Sequence, residues 1–212
     1  MSGGGRAERM RLEGRREMAR RGSQLLERKQ RILSDELERI QLHADRVRLD
    51  WARAAAEAAR WGRRAAALGG DQALESGAAA RGLTVEVQWS TVMGVRIPED
   101  ARCVLPERTR SGGSSALPLA VDAYRRAVDA AARAAAVERA VLLLRREIRA
   151  TRDRRRAVDD HVIPRLEEQL LRVRQQLDEQ ELEEALRLRW SADVVAVQRP
   201  VLQERPVEEE AR

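Results

Sequence analysis

Two interleaved heptad series run through the first third of the chain. One is Leu26, Leu33, Ile40, Val47, Ala54, Trp61 and Leu68; the other is Leu37, Ala44, Trp51, Ala58 and Ala65. Together they alternate steps of three and four from Leu33 to Leu68 with no polar interruption. That is the narrow seam of a coiled coil, not the broad stripe of a globular helix. A strict seven-residue repeat implies a left-handed supercoil. Upstream, Ser23 and Arg16 take seam-type positions, so the first turns are expected to fray or to need a partner. Gly69-Gly70 is expected to end the helix.

Composition agrees with long helices and excludes most alternatives. Of the 212 residues 36% are charged and 2% aromatic, with no Phe. That gives a large solvated surface per residue and no bulky, many-layered core. This composition argues against all-β and doubly wound α/β folds. The net charge of +6 and the pI near 10.8 suggest nucleic acid, but every cation except Lys29 is an arginine. Guanidinium does not titrate below about pH 12, so a small surplus inflates the pI. One cysteine, Cys103, leaves no internal disulfide and no cysteine metal cluster. The longest uncharged stretch, residues 111–121, is too short to span a bilayer, and the start lacks the apolar run of a secretory signal. A soluble, cytoplasmic chain is expected.

The organisation changes at residue 69. Residues 69–116 collect Gly, Pro and Ser, and a period of two replaces the helical one. Val85, Val87 and Trp89 alternate with Glu86 and Gln88; Met93, Val95 and Ile97 alternate with Gly94 and Arg96. Two short strands joined through residues 90–92 and closed by Pro98 read as a β-hairpin. A second long helix is expected over residues 117–190, with Pro118 in its first turn and Ser114 or Ser115 as caps. Its seam is Val137, Val141, Leu144, Ile148, Thr151, Arg155, Val158 and Val162. After Pro164, which is expected to kink or offset the helix, the seam resumes one residue out of step as Leu166, Leu170, Val173 and Leu177. The pattern fades after Leu188, and residues 191–212 read as a disordered tail. The fold class is mainly α. Residues 1–68 and 117–190 form a long antiparallel two-helix coiled coil, with a small central β-hairpin region at or near one end.

Three segments carry a resemblance. Residues 22–33 combine a glycine, the Leu25-Leu26 pair, the Arg28-Lys29 basic pair with Arg31, and apolar Ile32 and Leu33. Residues 93–98 read Met93-Gly94-Val95-Arg96-Ile97-Pro98, and residues 155–168 end Ile163-Pro164-Arg165-Leu166-Glu167-Glu168. In order and spacing they resemble the D subunits of the V-type (A/V-type) ATPases and ATP synthases, over about residues 7–190. The resemblance implies a non-catalytic rotor shaft that couples ATP synthesis or hydrolysis to proton or sodium transport. It implies four partners: the catalytic A and B subunits, the small F subunit, and the C subunit (d in eukaryotes) on the membrane ring. It implies no cofactor and a peripheral place on the membrane as part of the complex. The motif residues Leu25, Lys29, Arg31, Met93, Gly94, Val95, Pro98, Ile163, Pro164, Arg165, Glu167 and Glu168 are then expected partner contacts.

No nucleophile, acid/base pair, metal-ligand cluster or phosphate loop is legible, since no G-K-[ST] follows the glycine pairs. His43 and His161 lie far apart without ligand partners. Cys103 reads as a small hydrophobe of the hairpin, and Trp51 and Trp61 as seam residues. The arginines at 152 and 154–156 read as a solvated face paired with acids rather than as a phosphate site. Thr151 and Arg155 either set the register of the seam or mark where it opens. Charge is banded: residues 125–156 carry 11 Arg against 4 acids, and residues 159–184 carry 3 Arg against 9 acids. The competing function class is a free-standing basic coiled coil that scaffolds proteins or binds nucleic acid.

Overall fold

The computed structural model describes residues 3–76, 82–106 and 114–198. The order is helix α1 (Gly3–Ser76), strand β1 (Thr84–Val92), strand β2 (Val95–Val104), helix α2 (Ala116–Ala157), a π-helical turn (Val158–Val162) and helix α3 (Ile163–Gln198). The protein is mainly helical, with one two-stranded antiparallel sheet among the described residues. The chain divides into two compact units, residues 25–155 and residues 1–24 with 156–212, and α1 contributes to both.

In the unit of residues 25–155, α1 and α2 run antiparallel. Lys29, Arg48 and Glu57 of α1 pair with Glu147, Glu138 and Arg126 of α2, so numbers rise on one helix as they fall on the other. Leu33, Ile40 and Ala44 meet Val137, Ala140, Val141 and Leu144 in a buried cluster, with Leu37, Val47 and Ile148 packed at its border. Further along, alanines take over: Ala58 with Ala123 and Ala127, then Ala65 with Ala116, Leu117 and Ala120. Small side chains let helix axes approach closely. Gly62 shows how closely, since a Cβ there would lie 2.8 Å from the Tyr124 hydroxyl oxygen. Trp61 sits half-buried between the two alanine clusters with Arg64 over its ring at 4.8 Å.

Trp51 departs from the sequence expectation. It is 42% exposed instead of lying in the seam. The helix facing this stretch is lined by Ala127 and Ala134, both buried, with Ala130 and Ala131 beside them. Ala54 and Ala58 take the inward places of this stretch, and Trp51 stands at its edge. Leu68 is likewise exposed, because the seam stops before the glycine pair. Gly70, at φ 69° and ψ 178°, breaks the helical path, yet helical turns resume as far as Ser76.

The hairpin turns one step later than the alternation suggested. Met93 and Gly94 both have positive φ (48° and 82°), the signature of a two-residue type I′ turn, so Met93 is a turn residue and not a strand residue. β2 continues past Pro98 to Val104. Pro98 has no N–H to donate, and it stands opposite Trp89 where the ladder is irregular between Gln88 and Trp89. The hairpin lies back on its helices: Ile97, 1% exposed, joins the Leu33–Leu144 cluster, and Val92 and Val95 pack beside it. Asp129 Oδ1 accepts the Cys103 N–H at 3.0 Å, and Arg125 donates to the Pro106 carbonyl at 2.8 Å, which fixes β2 on α2. The Ser114 carbonyl accepts the Leu117 N–H at the start of α2, and the Ser114 hydroxyl, expected as a cap, has no hydrogen-bond partner.

In the other unit, α1 and α3 are antiparallel through Arg6–Glu181, Glu13–Arg174 and Arg20–Glu167. Leu12 packs with Leu166, Leu170, Val173 and Leu177, bordered by Ala19. Gly5 admits Leu177, whose Cδ2 would lie 2.8 Å from a Cβ at that position. The first turns are thus helical and packed. The π turn accounts for the offset at Pro164. Val158 is half-buried, Val162 is 43% exposed, and Ile163 is half-buried. The inward step is therefore five residues, 158 to 163, matched by the Ile163 N–H bond to the Val158 carbonyl. Proline cannot donate to the preceding turn, and one extra residue in the ladder absorbs that loss. Val162, expected in the seam, is turned out by it. α3 runs to Gln198, past the expected helix end at residue 190, and residues 199–212 of the expected tail lie outside the described residues.

Candidate functional site

A two-helix seam offers surfaces, not an enclosed chamber. In the unit of residues 25–155 an open groove of about 730 Å³ lies between Glu38, Leu42 and Asp45 on α1 and Glu138, Leu142 and Arg145 on α2. Its walls mix both charges, and Leu42 and Leu142 stand exposed on its rims. Among the described residues no three His, Cys, Asp or Glu side chains lie close enough to hold a metal ion, and no helix is long and apolar enough to cross a membrane.

The first motif segment straddles seam and surface. Lys29 reaches across to Glu147, its Nζ donating to Oε1 at 2.8 Å with both side chains about a quarter exposed. That bond, opposed by desolvation and helped by the Lys29 and Arg154 charges, holds the Glu147 carboxyl below its ordinary range. Leu26 is half-buried, Leu25 is exposed, and Arg31 lies outside beside Glu27 at 3.8 Å. The same helix carries Glu36, whose carboxyl the Arg39 fork, bonded at 2.6 and 2.9 Å, holds low against desolvation.

The second motif segment supplies the hairpin turn. Met93 and Gly94 form the exposed tip, while Val95 and Pro98 face inward. Register puts Val85 beside Cys103 and Val87 beside Ala101, so these four share one face of the sheet. α2 covers the β2 half of that face: Ala101 is 2% exposed and Cys103 9%. On β1, Val85, Val87 and Trp89 remain exposed, with Arg96 4.7 Å from the Trp89 ring centroid. The alternation located this face correctly but could not say that only half of it is covered. Burial pushes the Cys103 thiol up, with the Asp129 charge adding to it.

The third segment brackets the π turn. Pro164, Arg165 and Glu168 are exposed, and Glu167 accepts from Arg20 at 2.7 Å. Asp159, Asp160 and His161 also face out. Beyond Leu177, α3 shows Leu182, Leu186 and Trp190 at steps of four, each more than half exposed. Two seam residues, Leu12 and Ala19, have no place in the expected pattern, although they continue the series of Leu26 and Leu33 backwards by sevens. Arginine at 16 and serine at 23 masked that signal.

The profile of a protein family described as the D subunit of ATP synthase matches residues 8–193. Among curated relatives, the D subunit of the A-type ATP synthase of Methanopyrus kandleri is 31% identical, over 90% of this chain and 85% of its own length. That of Halorubrum lacusprofundi is 34% identical, over 85% of this chain and 82% of its own. The D subunit of a V-type ATP synthase from an Anaeromyxobacter species is 33% identical, over 84% and 86%.

Proposed function

The chain belongs to the family of ATP synthase D subunits, and on that premise we propose that it is the shaft of an A/V-type rotary ATPase, carrying torque between catalytic subunits and a membrane rotor ring. As a member of that family it is a structural stalk component and not a catalytic subunit. The observation that carries the shaft reading is the pairing itself. In each unit α1 is held to its neighbouring helix both by apolar layers and by cross-helix ion pairs. Two helices joined along their length resist twist and bend better than one, and alanine or glycine contacts keep the pair slim. A tether or scaffold needs neither property.

The partners on this reading are the catalytic A and B subunits, the F subunit, and the C (or d) subunit on the ring. The exposed rows Val85–Val87–Trp89 and Leu182–Leu186–Trp190 give such partners apolar footholds, and the banded charge gives them electrostatic ones. The helix segments 15–33 and 168–188 would meet the catalytic hexamer, and the 69–116 region would face F and the ring.

Affinity purification of the tagged full-length chain from its own host at moderate salt tests the reading. Recovery of A, B and F in fixed ratio is the expected result. Recovery of nucleic acid alone, with no other ATPase component, would replace the shaft by a nucleic-acid-binding coiled coil.

A further inference from the structure

The seam of the unit formed by residues 25–155 is not uniform. At Leu33 and Leu144 it is closed by two leucines with no measurable exposure. Within about two helical turns of them the composition changes. Thr151 is 0% exposed, and its hydroxyl oxygen has no hydrogen-bond partner. The side-chain oxygen of Gln30 is also buried without a partner. Both belong to the surroundings of one ion pair, because Gln30 follows Lys29 and Thr151 lies one turn beyond Glu147, the residues bonded at 2.8 Å. Arg154 adds a second cation to Glu147 at 3.6 Å.

A buried oxygen without a donor gives up its bonds to water and gains none in return. When the helices part at such a point, water restores those bonds, so opening is easier there than at a layer of leucines. The flanking ion pair does not oppose this, since separated charges are resolvated by the same water. Exchange of backbone amides reports openings of this kind segment by segment.

We propose that Gln30 and Thr151, beside the Lys29–Glu147 pair, form a hydrated weak layer in the seam, at which α1 and α2 part and change their local twist while the Leu33–Leu144 layer stays closed. The layer is a conformational device of the chain itself. It goes beyond the shaft reading and does not depend on it.

Hydrogen–deuterium exchange on the isolated full-length chain tests the layer directly. Peptides covering residues 26–31 and 147–155 should exchange about tenfold faster than those covering residues 37–47. Thr151→Val replaces the hydroxyl by a methyl of similar size, and Gln30→Leu removes the buried amide. The double variant should slow exchange at 26–31 and 147–155 about tenfold, leave 37–47 unchanged, and raise the melting temperature by about 5 °C. Thr151→Val alone should give part of the slowing, which keeps the test intact if the double variant packs badly. Thr151→Ser, which keeps the hydroxyl, should stay fast. Equal exchange at the two sites in the unmodified chain, or no slowing in Thr151→Val, would overturn the proposal. Failure to recover the other ATPase subunits would overturn the shaft reading and leave this result standing.

Discussion

Leu144→Ala is expected to destabilise the chain by about 2–5 kcal/mol, and Trp51→Ala by about 1 kcal/mol or less. The ranking inverts what residue size and heptad position suggest. Leu144 has 0% exposure and lies in one cluster with Leu33, Ile40, Val141 and Ile97. Truncating it leaves a hole bounded by two helices and the hairpin, which cannot all move in to close it. Trp51 stands on the heptad series but has 42% of its surface in water, so little apolar area is lost with it. For a chain of this size each kcal/mol is worth about 2–4 °C of melting temperature. Leu144→Ala should therefore melt roughly 10 °C lower, and Trp51→Ala within about 3 °C of the parent. Thermal melts followed by helical circular dichroism decide it. Equal shifts would mean that the indole is packed after all.

The second large effect concerns coupling. Leu33→Ala with Ile40→Ala truncates two neighbouring side chains of one cluster and should cost about 4–10 kcal/mol if the losses add. Residues in one cluster share the cavity, so the sum is an upper figure. The cross-helix pairs Arg48–Glu138 and Glu57–Arg126 and the alanine clusters remain to hold the pair together locally. On the shaft reading the complex still assembles and hydrolyses ATP, but a softened shaft slips or stores twist instead of turning the ring. Ion uptake per ATP, measured with the ATPase rate on the same reconstituted vesicles, should fall by about half or more. An unchanged ratio in a variant whose melting temperature has dropped would mean that stiffness at this cluster does not limit coupling. Loss of assembly alone would point to a scaffold.

The helices and the hairpin are legible in the sequence because each rests on a simple period. Sevens place Leu33, Ile40 and Leu144 inside; twos place Val85 and Val87 on one face. What the periods miss is set by the other side of each contact. Trp51 fails because the facing helix is alanine there, which a one-helix pattern does not see. Val162 fails because a proline two residues later changes the helical step from four to five, although the out-of-step run Leu166, Leu170, Val173 recorded the result. Leu12 and Ala19 were hidden by the polar positions at 16 and 23. Thr151 was legible as an anomaly, and only its burial without a hydrogen-bond partner gives the anomaly a physical meaning. The half-covered face of the sheet was least legible, because an exposed valine and a buried one alternate in the same way.

Rotation itself is the most direct test of the shaft. Glu86 is exposed on β1, and the native thiol of Cys103 is buried with its pKa raised, so Glu86→Cys provides a selective attachment point for a bead. With the A and B subunits of the assembled complex fixed to glass, ATP should drive the bead in sustained rotation in one direction, ceasing when ATP is washed out. Continued ATP hydrolysis by the same complexes under a bead that only fluctuates about one angle would contradict the account.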